Sequence, residues 1–336
     1  MQLLNLDSLH HKKCLLAFSY GTDSTALFHI LNEKNIEFDC AFINYKTRVQ
    51  SDEEEVNAKE LCLKFNKNIY IKIAPLNLEN GSNFEKKARD IRHKFFDEIC
   101  IKFNYDTLIL AHQLNDCLEW LFMQLSKGSG TVQLCGLEPT NTKIAEFENI
   151  KKQISVIRPL INVSRNEIIS YLKQKNINYF TDISNFDFKF KRNFIRANFS
   201  DAFIEKFEKG VIKSFEFLRA DRTALLGEFI YEDSEFFIIE KSINSINLVD
   251  LACKKLDVLM SQSSRKQCLK NDCVISHKVC ITSNETNYFV APFIKQKMDK
   301  KFKEKCRVLR IPPLLRGYLS QNQHLMSLFE KHKPLS

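Results

Sequence analysis

No hydrophobic run in this sequence approaches the length of a membrane span. The opening stretch, Met1 to Asp7, also lacks the basic-then-apolar layout of a signal peptide. These two absences make the cytoplasm the expected compartment. Cys-x-x-Cys is absent as well. The 11 cysteines are scattered singly, several of them inside apolar runs (Cys14, Cys62, Cys100), where cysteine serves as a small hydrophobe. Cys268, Cys273 and Cys280 with His277 have a spacing that fits no standard zinc site. No Gly-Lys-Ser/Thr closes a Walker A loop, and no Gly-x-Gly-x-x-Gly fingerprint occurs.

What is present fits an ordinary globular chain. The hydrophobic share is 44% and the charged share 27%. At 336 residues the chain suits two domains, the larger able to bury a full core. The net charge of +9 favours a polyanionic partner, because long-range attraction follows the sign of the summed charge. The charge is uneven. Lys295 to Arg316 is strongly basic, whereas Asp52-Glu53-Glu54-Glu55 is acidic.

The first half alternates apolar strands with capped helices. Strands are expected at Lys13–Ser19, Asp39–Asn44, Asn68–Ala74, Thr107–His112 and Val156–Leu160. Helices are expected at Thr22–Lys34, from Ser51, from Ser82 to about Lys102, at Leu114–Ser126 and from Ser164 to about Lys175. Ser51 with Glu54, Ser82 with Glu85 and Ser164 with Glu167 each have capping-box spacing, in which each side chain reaches the other residue's backbone N–H. This grammar predicts βαβ units and a parallel sheet, with the ligand beyond the carboxyl ends of the strands. Lys127-Gly128-Ser129-Gly130 opens a low-pattern stretch to Lys152, read as a connector or as an anion-binding loop. Phe188, Phe190 and Phe194, interleaved with Lys189, Lys191, Arg192 and Arg196, suit either base stacking or a helix with core phenylalanines; the core reading is favoured. Phe203, Phe207, Val211, Phe215 and Leu218 recur at helical spacing within Ser200–Gly227. Beyond that helix, short strands are expected at Phe236–Glu240, Ile246–Val249, Cys273–Ser276, Lys278–Ile281 and Asn287–Ala291. One helix, near Leu251–Met260, lies among them.

Ser19-Tyr20-Gly21-Thr22-Asp23-Ser24 lies between the first strand and its helix. A small hydroxyl-rich turn there suits a phosphate, since the first N–H groups of a helix have no partner within it and its dipole is positive at that end. An ordinary capped strand–turn–helix would read the same way.

Ser19–Ser24 resembles the Ser-Gly-Gly-x-Asp-Ser loop of the N-type ATP pyrophosphatases. Ala111-His112-Gln113-Leu114-Asn115-Asp116-Cys117-Leu118-Glu119 resembles the Ala-His-His-x-Asp-Asp-x-x-Glu segment of the tRNA(Ile)-lysidine synthase family. Lys127–Gly130, Ala88–Arg92, Asn44–Arg48, Arg158-Pro159-Leu160, Asp182-x-Ser184-Asn185 and Arg192-Asn193-x-Ile195-Arg196 are similar to further motifs of that family. The resemblance covers about residues 13–200. It implies an α/β fold with a Rossmann-like parallel sheet (PP-loop type), a helical connector and a small α+β domain. The expected bounds are 1–205, 206–235 and 236–336, the last binding tRNA.

The resemblance also implies the reaction: ATP adenylates the C2 oxygen of the wobble cytidine in the CAU anticodon of tRNA(Ile) with loss of pyrophosphate, and the ε-amine of free L-lysine attacks C2 and displaces AMP. The implied nucleotide-binding residues are Ser19, Tyr20, Gly21, Thr22, Asp23 and Ser24. Asp23 and Asp116 would ligate Mg²⁺; Asp23, His112, Asp116 and Glu119 would be catalytic; Arg89, Arg92, Lys127, Arg192 and Arg196 would bind substrates. The oligomeric state is left open, a dimer included, and no membrane partner is expected. The alternatives are a tRNA thiolase of the same group, which the lack of Cys-x-x-Cys disfavours, and an inactive tRNA-binding relative. Several positions depart from the family pattern. Tyr20 replaces a glycine, so a positive φ there would be strained. Asn115 replaces an aspartate, Tyr45 a histidine and Trp120 a threonine. Arg158-Pro159 is read as a structural strand end.

Overall fold

Alternate residues of the first strand, β1 (Cys14–Phe18), are buried on opposite faces. Cys14, Leu16 and Phe18 enter one core and Leu15 another, as side chains of a strand covered on both sides must. The structure, a computed structural model, describes residues 1–47, 50–76, 84–180, 191–233 and 235–330. Ser82, Arg48, the segment Asp182 to Asn185, Phe188, Lys189 and Phe190 lie outside the described residues. The chain divides into two compact units, Met1–Ala220 and Asp221–Ser336.

In the first unit β1 is followed by α1 (Thr22–Glu33), β2 (Phe38–Asn44), α2 (Gln50–Lys64), β3 (Ile69–Ile73), α3 (Phe84–Lys102), β4 (Thr107–Ile109), α4 (Leu114–Leu125), α5 (Thr131–Leu134), β5 (Thr140–Phe147), β6 (Ile150–Ile157) and α6 (Arg165–Gln174). Then come α7 (Lys191–Ile195), a π-helical turn at Arg196–Ser200 and α8 (Asp201–Leu226), which runs across the boundary between the units. The sheet order is β3-β2-β1-β4-β6-β5; all pairings are parallel except β5 with β6. Helices α1, α2 and α6 cover one face and α3 the other.

Two expectations for this unit need correction. The stretch before Lys152 is not patternless: it holds α5 and the edge strand β5. Its alternation was obscured because two inward positions, Asn141 and Lys143, are polar and an outward one, Ile144, is apolar. The β5–β6 hairpin turns at Glu148 and Asn149, both at positive φ (47° and 65°), the two-residue geometry that matches strand twist. In addition, Ser51 lies inside α2, which already begins at Gln50.

The second unit contains β7 (Tyr231–Glu232), β8 (Phe237–Glu240), α9 (Ser245–Lys255), α10 (Gln262–Cys268), β9 (Cys273–Ile275), β10 (Val279–Ser283), β11 (Asn287–Pro292), α11 (Lys300–Val308), α12 (Arg316–Gln321) and α13 (Ser327–Glu330). Its antiparallel sheet runs β7-β8-β11-β10-β9. Ile246–Val249 is not a strand; it forms the start of α9, where Leu248, Val249, Ala252 and Cys253 make a helical apolar stripe. Cys268 and Cys273 lie in that core, and Cys280 points into the core on the opposite sheet face.

A Cβ at Gly317, in α12, would overlap the carbonyl oxygen of Ile294. Overpacking of this kind costs about 1–3 kcal/mol. Gly317→Ala should therefore lower the urea midpoint of unfolding without changing its slope; an unchanged midpoint would mean that the Ile294 backbone yields freely.

Candidate functional site

The chain passes from β3 across the sheet to β4, so the strand order reverses between β1 and β4. Parallel α/β sheets bind ligands at such a reversal, because the loops leaving the two strands diverge there and open a crevice. The loop after β1 is Ser19–Ser24, and the segment after β4 carries His112, Asp116 and Glu119.

Within the loop, Tyr20 has φ +57°. The left-handed conformation costs an L-residue about 1–2 kcal/mol. The ring offsets this: Tyr20 is only 8% exposed and packs 5.8 Å from the rings of both Phe18 and Phe180. Burying an aromatic side chain stabilises by about 1.5–3 kcal/mol. The Phe180 N–H also donates to the Tyr20 carbonyl at 3.1 Å. The positive φ thus falls on Tyr20, while Gly21 is extended at φ −78°.

The loop hydroxyls satisfy part of the loop itself. Ser19 N–H donates to Ser24 Oγ (3.2 Å), and Gly21 N–H lies 3.4 Å from Ser19 Oγ. The N–H groups of Ser19 and Gly21 are therefore not the free donors expected of them. No side chain caps α1, and Thr25 is the first residue whose N–H is used, donating to Gly21. The donors left open among the described residues are those of Thr22, Asp23 and Ser24.

Asp23 sits in that first turn. Its Oδ1 is buried without a hydrogen-bond partner. Burial raises its pKa to about 7; the Asp116 carboxylate adds to this, while Arg165 and Arg196 oppose it. Mg²⁺ is commonly held by one or two carboxylates together with phosphates and water; among the described residues no group of three or more His, Cys, Asp or Glu side chains gathers here.

Asp116 forms a capping box with Gln113 at the start of α4, its Oδ2 accepting the Gln113 N–H at 2.9 Å. Its Oδ1 pairs with Arg192. Burial alone would raise its pKa, but Arg192 and then His112 outweigh that and hold it below the usual carboxylate range. Glu119, one turn further along α4, is fully buried. It accepts from Arg192 Nε at 2.6 Å and from Arg196 Nε at 2.6 Å. Arg192 and Arg196 are thus already paired with the two acids, not turned outward toward a substrate.

Asn115 faces away from this cluster. Its Nδ2 donates to Asp201 (2.7 Å), and its Oδ1 accepts the Arg165 N–H at the head of α6 (3.1 Å). It is a structural brace rather than a metal ligand. Trp120 donates to the Gln133 carbonyl at 3.0 Å and lies where a Cβ on Gly136 would stand, so it pins the segment after α5. Lys127 is exposed, in the turn where Gly128 has φ +69°. The turn is tethered by Lys191, whose Nζ meets Ser126 Oγ at 2.6 Å.

Arg89 and Arg92 lie on α3 with His93, and they act electrostatically on one another, on His112 and on Arg158. Burial lowers His93 to about 3, with Lys143, Arg89 and Arg92 adding to the effect. Burial lowers His112 to about 4, against the pull of Asp116 and with Arg158, Arg192 and Arg92 contributing; its Nδ1 is buried and unpartnered. Arg92 is lowered too, by desolvation first and then by Arg89 and Arg192. Tyr45 closes this corner, its hydroxyl donating to the Ala88 carbonyl at 3.0 Å. Arg158 bonds to the Glu138 carbonyl (2.9 Å) and Asn141 (2.6 Å) as a strand-end brace. His93 and Arg165 were missed in the sequence. His93 stands four residues after Arg89, on the same helical face, and that spacing was the available signal.

A family model described as the PP-loop domain matches residues 1–202. A tRNA(Ile)-lysidine synthase of Campylobacter jejuni (strain RM1221) is 46% identical over 309 residues, 91% of this chain and 92% of the relative. That of Wolinella succinogenes is 38% identical, covering 95% and 96%, and that of Helicobacter pylori (strain ATCC 700392 / 26695) is 34% identical, covering 94% and 91%. The similarity therefore extends well past residue 200, through the second unit.

Asp23 keeps its proton up to about pH 7 in the folded chain and only to about pH 3.9 when unfolded. Between those values the folded chain holds more protons, so stability falls as pH rises. In divalent-free buffer, Asp23→Asn should gain on the wild type from pH 4 to pH 8 in urea unfolding. Parallel curves would mean that the carboxylate finds a partner.

Proposed function

The chain belongs to the tRNA(Ile)-lysidine synthase family of the PP-loop proteins, and from that premise we propose that it is an ATP-dependent ligase that converts the wobble cytidine of a CAU-anticodon tRNA(Ile) to lysidine. ATP is used as the family's PP-loop implies. The carrying observation is the orphaned Asp23 carboxylate in the uncapped first turn of α1, beside Asp116 at the strand reversal.

The open N–H groups of Thr22, Asp23 and Ser24 receive the pyrophosphate portion of ATP, where fixed dipoles stabilise the charge that develops as it leaves. Mg²⁺ would be held by Asp23, with Asp116 as second ligand once Arg192 gives up its oxygen; the ion supplies charge neutralisation on the departing phosphates. Arg192 exchanges only its Asp116 oxygen for a phosphate, a pairing that guanidinium makes equally well, while its Nε and Arg196 stay on the buried Glu119. The carboxylate of L-lysine binds at the cationic corner of Arg89 and Arg92. The ε-amine must shed a proton before it attacks C2 and displaces AMP. His112, neutral at pH 7 with a free Nδ1, accepts it; incoming phosphates raise its pKa toward the working range.

Sulfur delivery is disfavoured by the thiols. All eleven cysteines are buried, and burial pushes Cys14, Cys100 and Cys117 up to about 12, which removes the reactive thiolate. In the second unit, α11 turns Phe302 and Cys306 inward and exposes Lys300, Lys301, Lys303, Lys305 and Arg307. We assign this face to the tRNA backbone.

Incubation with ATP, labelled lysine and the CAU tRNA(Ile) transcript should yield lysidine, with a methionine tRNA unlabelled. Asp23→Ala should abolish AMP formation and leave tRNA binding intact; lysidine formed at a near-normal rate by this variant would sink the assignment. Replacing Lys300, Lys301 and Lys303 with alanine should weaken tRNA binding and reduce the log–log salt slope by roughly 0.7–0.9 for each phosphate no longer neutralised. An unchanged slope would make α11 a merely solvated face.

A further inference from the structure

Four phenylalanines that follow α6 are not core. Phe194 and Phe199 are each 47% exposed, Phe203 is 45% and Phe207 is 55%. The favoured core reading of Phe194 therefore fails, and the apolar stripe of α8 splits. Ile204, Val211 and Phe215 are buried, while Phe203 and Phe207 face outward. The physical cause is the backbone. The π-helical turn at Arg196–Ser200 adds a residue to the turn, with Asp201 N–H reaching back to the Arg196 carbonyl. A non-helical Phe207 (φ −127°) then breaks the 3.6-residue repeat. The rings touch in sequence: Phe194–Phe199 at 6.0 Å, Phe199–Phe122 at 5.8 Å and Phe203–Phe207 at 5.0 Å.

We propose that this row of rings is a stacking platform for unpaired bases of an RNA loop, seating the nucleotides next to the one that enters the reaction site. The proposal rests on the function proposed above and adds the surface that would hold the loop. Three observations favour RNA over a second copy of the chain. First, Phe122, Phe199, Phe203 and Phe207 wall a groove of about 280 Å³ whose polar lining is Asn198 and Lys206, with no acidic side chain. That volume lies just below the about 300–1,000 Å³ of pockets that enclose drug-sized ligands, and suits a flat ring. Second, the groove is built on the elements that carry the site. Phe122 stands three residues after Glu119 on α4, and Phe194 lies between Arg192 and Arg196 on α7 and its π-helical extension. Third, although the flanks of the rings carry charge of both signs (Lys191, Lys206 and Lys209 with Glu205 and Glu208), the one charged side chain that lines the groove is the exposed Lys206, so a phosphate meets a cation where bases stack. A cytidine that leaves its stack uncovers the faces of its neighbours; rings that receive those neighbours compensate for this.

The test uses the full-length protein and a CAU anticodon stem–loop RNA carrying 2-aminopurine beside the target cytidine. Wild type should quench the fluorophore by stacking. Phe199→Ala and Phe203→Ala should each weaken loop binding by about 10-fold and abolish the quench. The salt slope and ATP affinity should stay unchanged, because neither the cations that meet phosphates nor the Ser19–Ser24 loop are touched. Phe217→Ala, exposed on α8 but outside the groove, serves as the control and should behave as wild type. Wild-type affinity and quenching in the two groove variants would overturn the platform while leaving lysidine formation standing. Loss of a dimer in sedimentation with RNA affinity retained would also overturn it and make the face an interface between copies. Failure of the wild type to bind the loop at all would remove both the platform and the function beneath it.

Discussion

The interaction on which the site depends is the fully buried carboxylate of Glu119, held by Arg192 and Arg196. A lone buried carboxylate would be prohibitively costly, so the pairing is obligatory. Removing one partner of such a group costs about 3–5 kcal/mol, because the remaining charge stays buried. The same pairing attaches the chain that follows residue 190 to α4 and so determines where α7 and the π-helical turn lie. Through Arg192 it also reaches Asp116, whose other oxygen holds the start of α4. Helix position, charge balance and the orientation of the acids are therefore one constraint.

That constraint separates two kinds of carboxylate that meet at the same crevice. Asp116 is kept ionised by its cations, while Asp23, with Oδ1 unpaired, is pushed toward protonation. Environments that drive like groups apart in this way are characteristic of sites built to receive charge. The arginines Arg89, Arg92 and Arg158 are the counterpart on the other side, and burial together with their charge keeps the neighbouring His93 and His112 neutral. An anionic substrate offsets the cationic side, and a divalent cation accompanying it would offset the carboxylate side.

The departures from the family pattern also have local physical reasons. Tyr20 takes the positive φ that a glycine would take, and the burial of its ring in the core compensates the strain. Asn115 gave up its charge at a position that points toward α6 and Asp201, where hydrogen bonding rather than charge is needed. Trp120 replaces a small residue and clamps the segment around Gly136.

Much was legible in the residues alone. Alternating apolar runs, the Ser164–Glu167 capping box and the order of the motifs determined the parallel sheet, its helices and the segments that meet at its carboxyl edge, because these depend on neighbours within a few positions. The polar edge strand β5 and the start of α9 were not legible, since the inward Asn141 and Lys143 of β5 break its alternation and a short apolar run fits a strand or a helix equally. Nor was the state of the charges. That Arg192 and Arg196 neutralise Glu119, that Asn115 turns away, that His93 is kept neutral beside Arg89 and Arg92 and that Phe194 and Phe203 face outward all depend on the meeting of distant segments or on a π-helical turn that shifts the helical phase. Sequence therefore determined which chemical groups reach the crevice of Ser19–Ser24, and only the tertiary structure decided which of them are already paired, because pairing depends on distance and burial rather than on order along the chain.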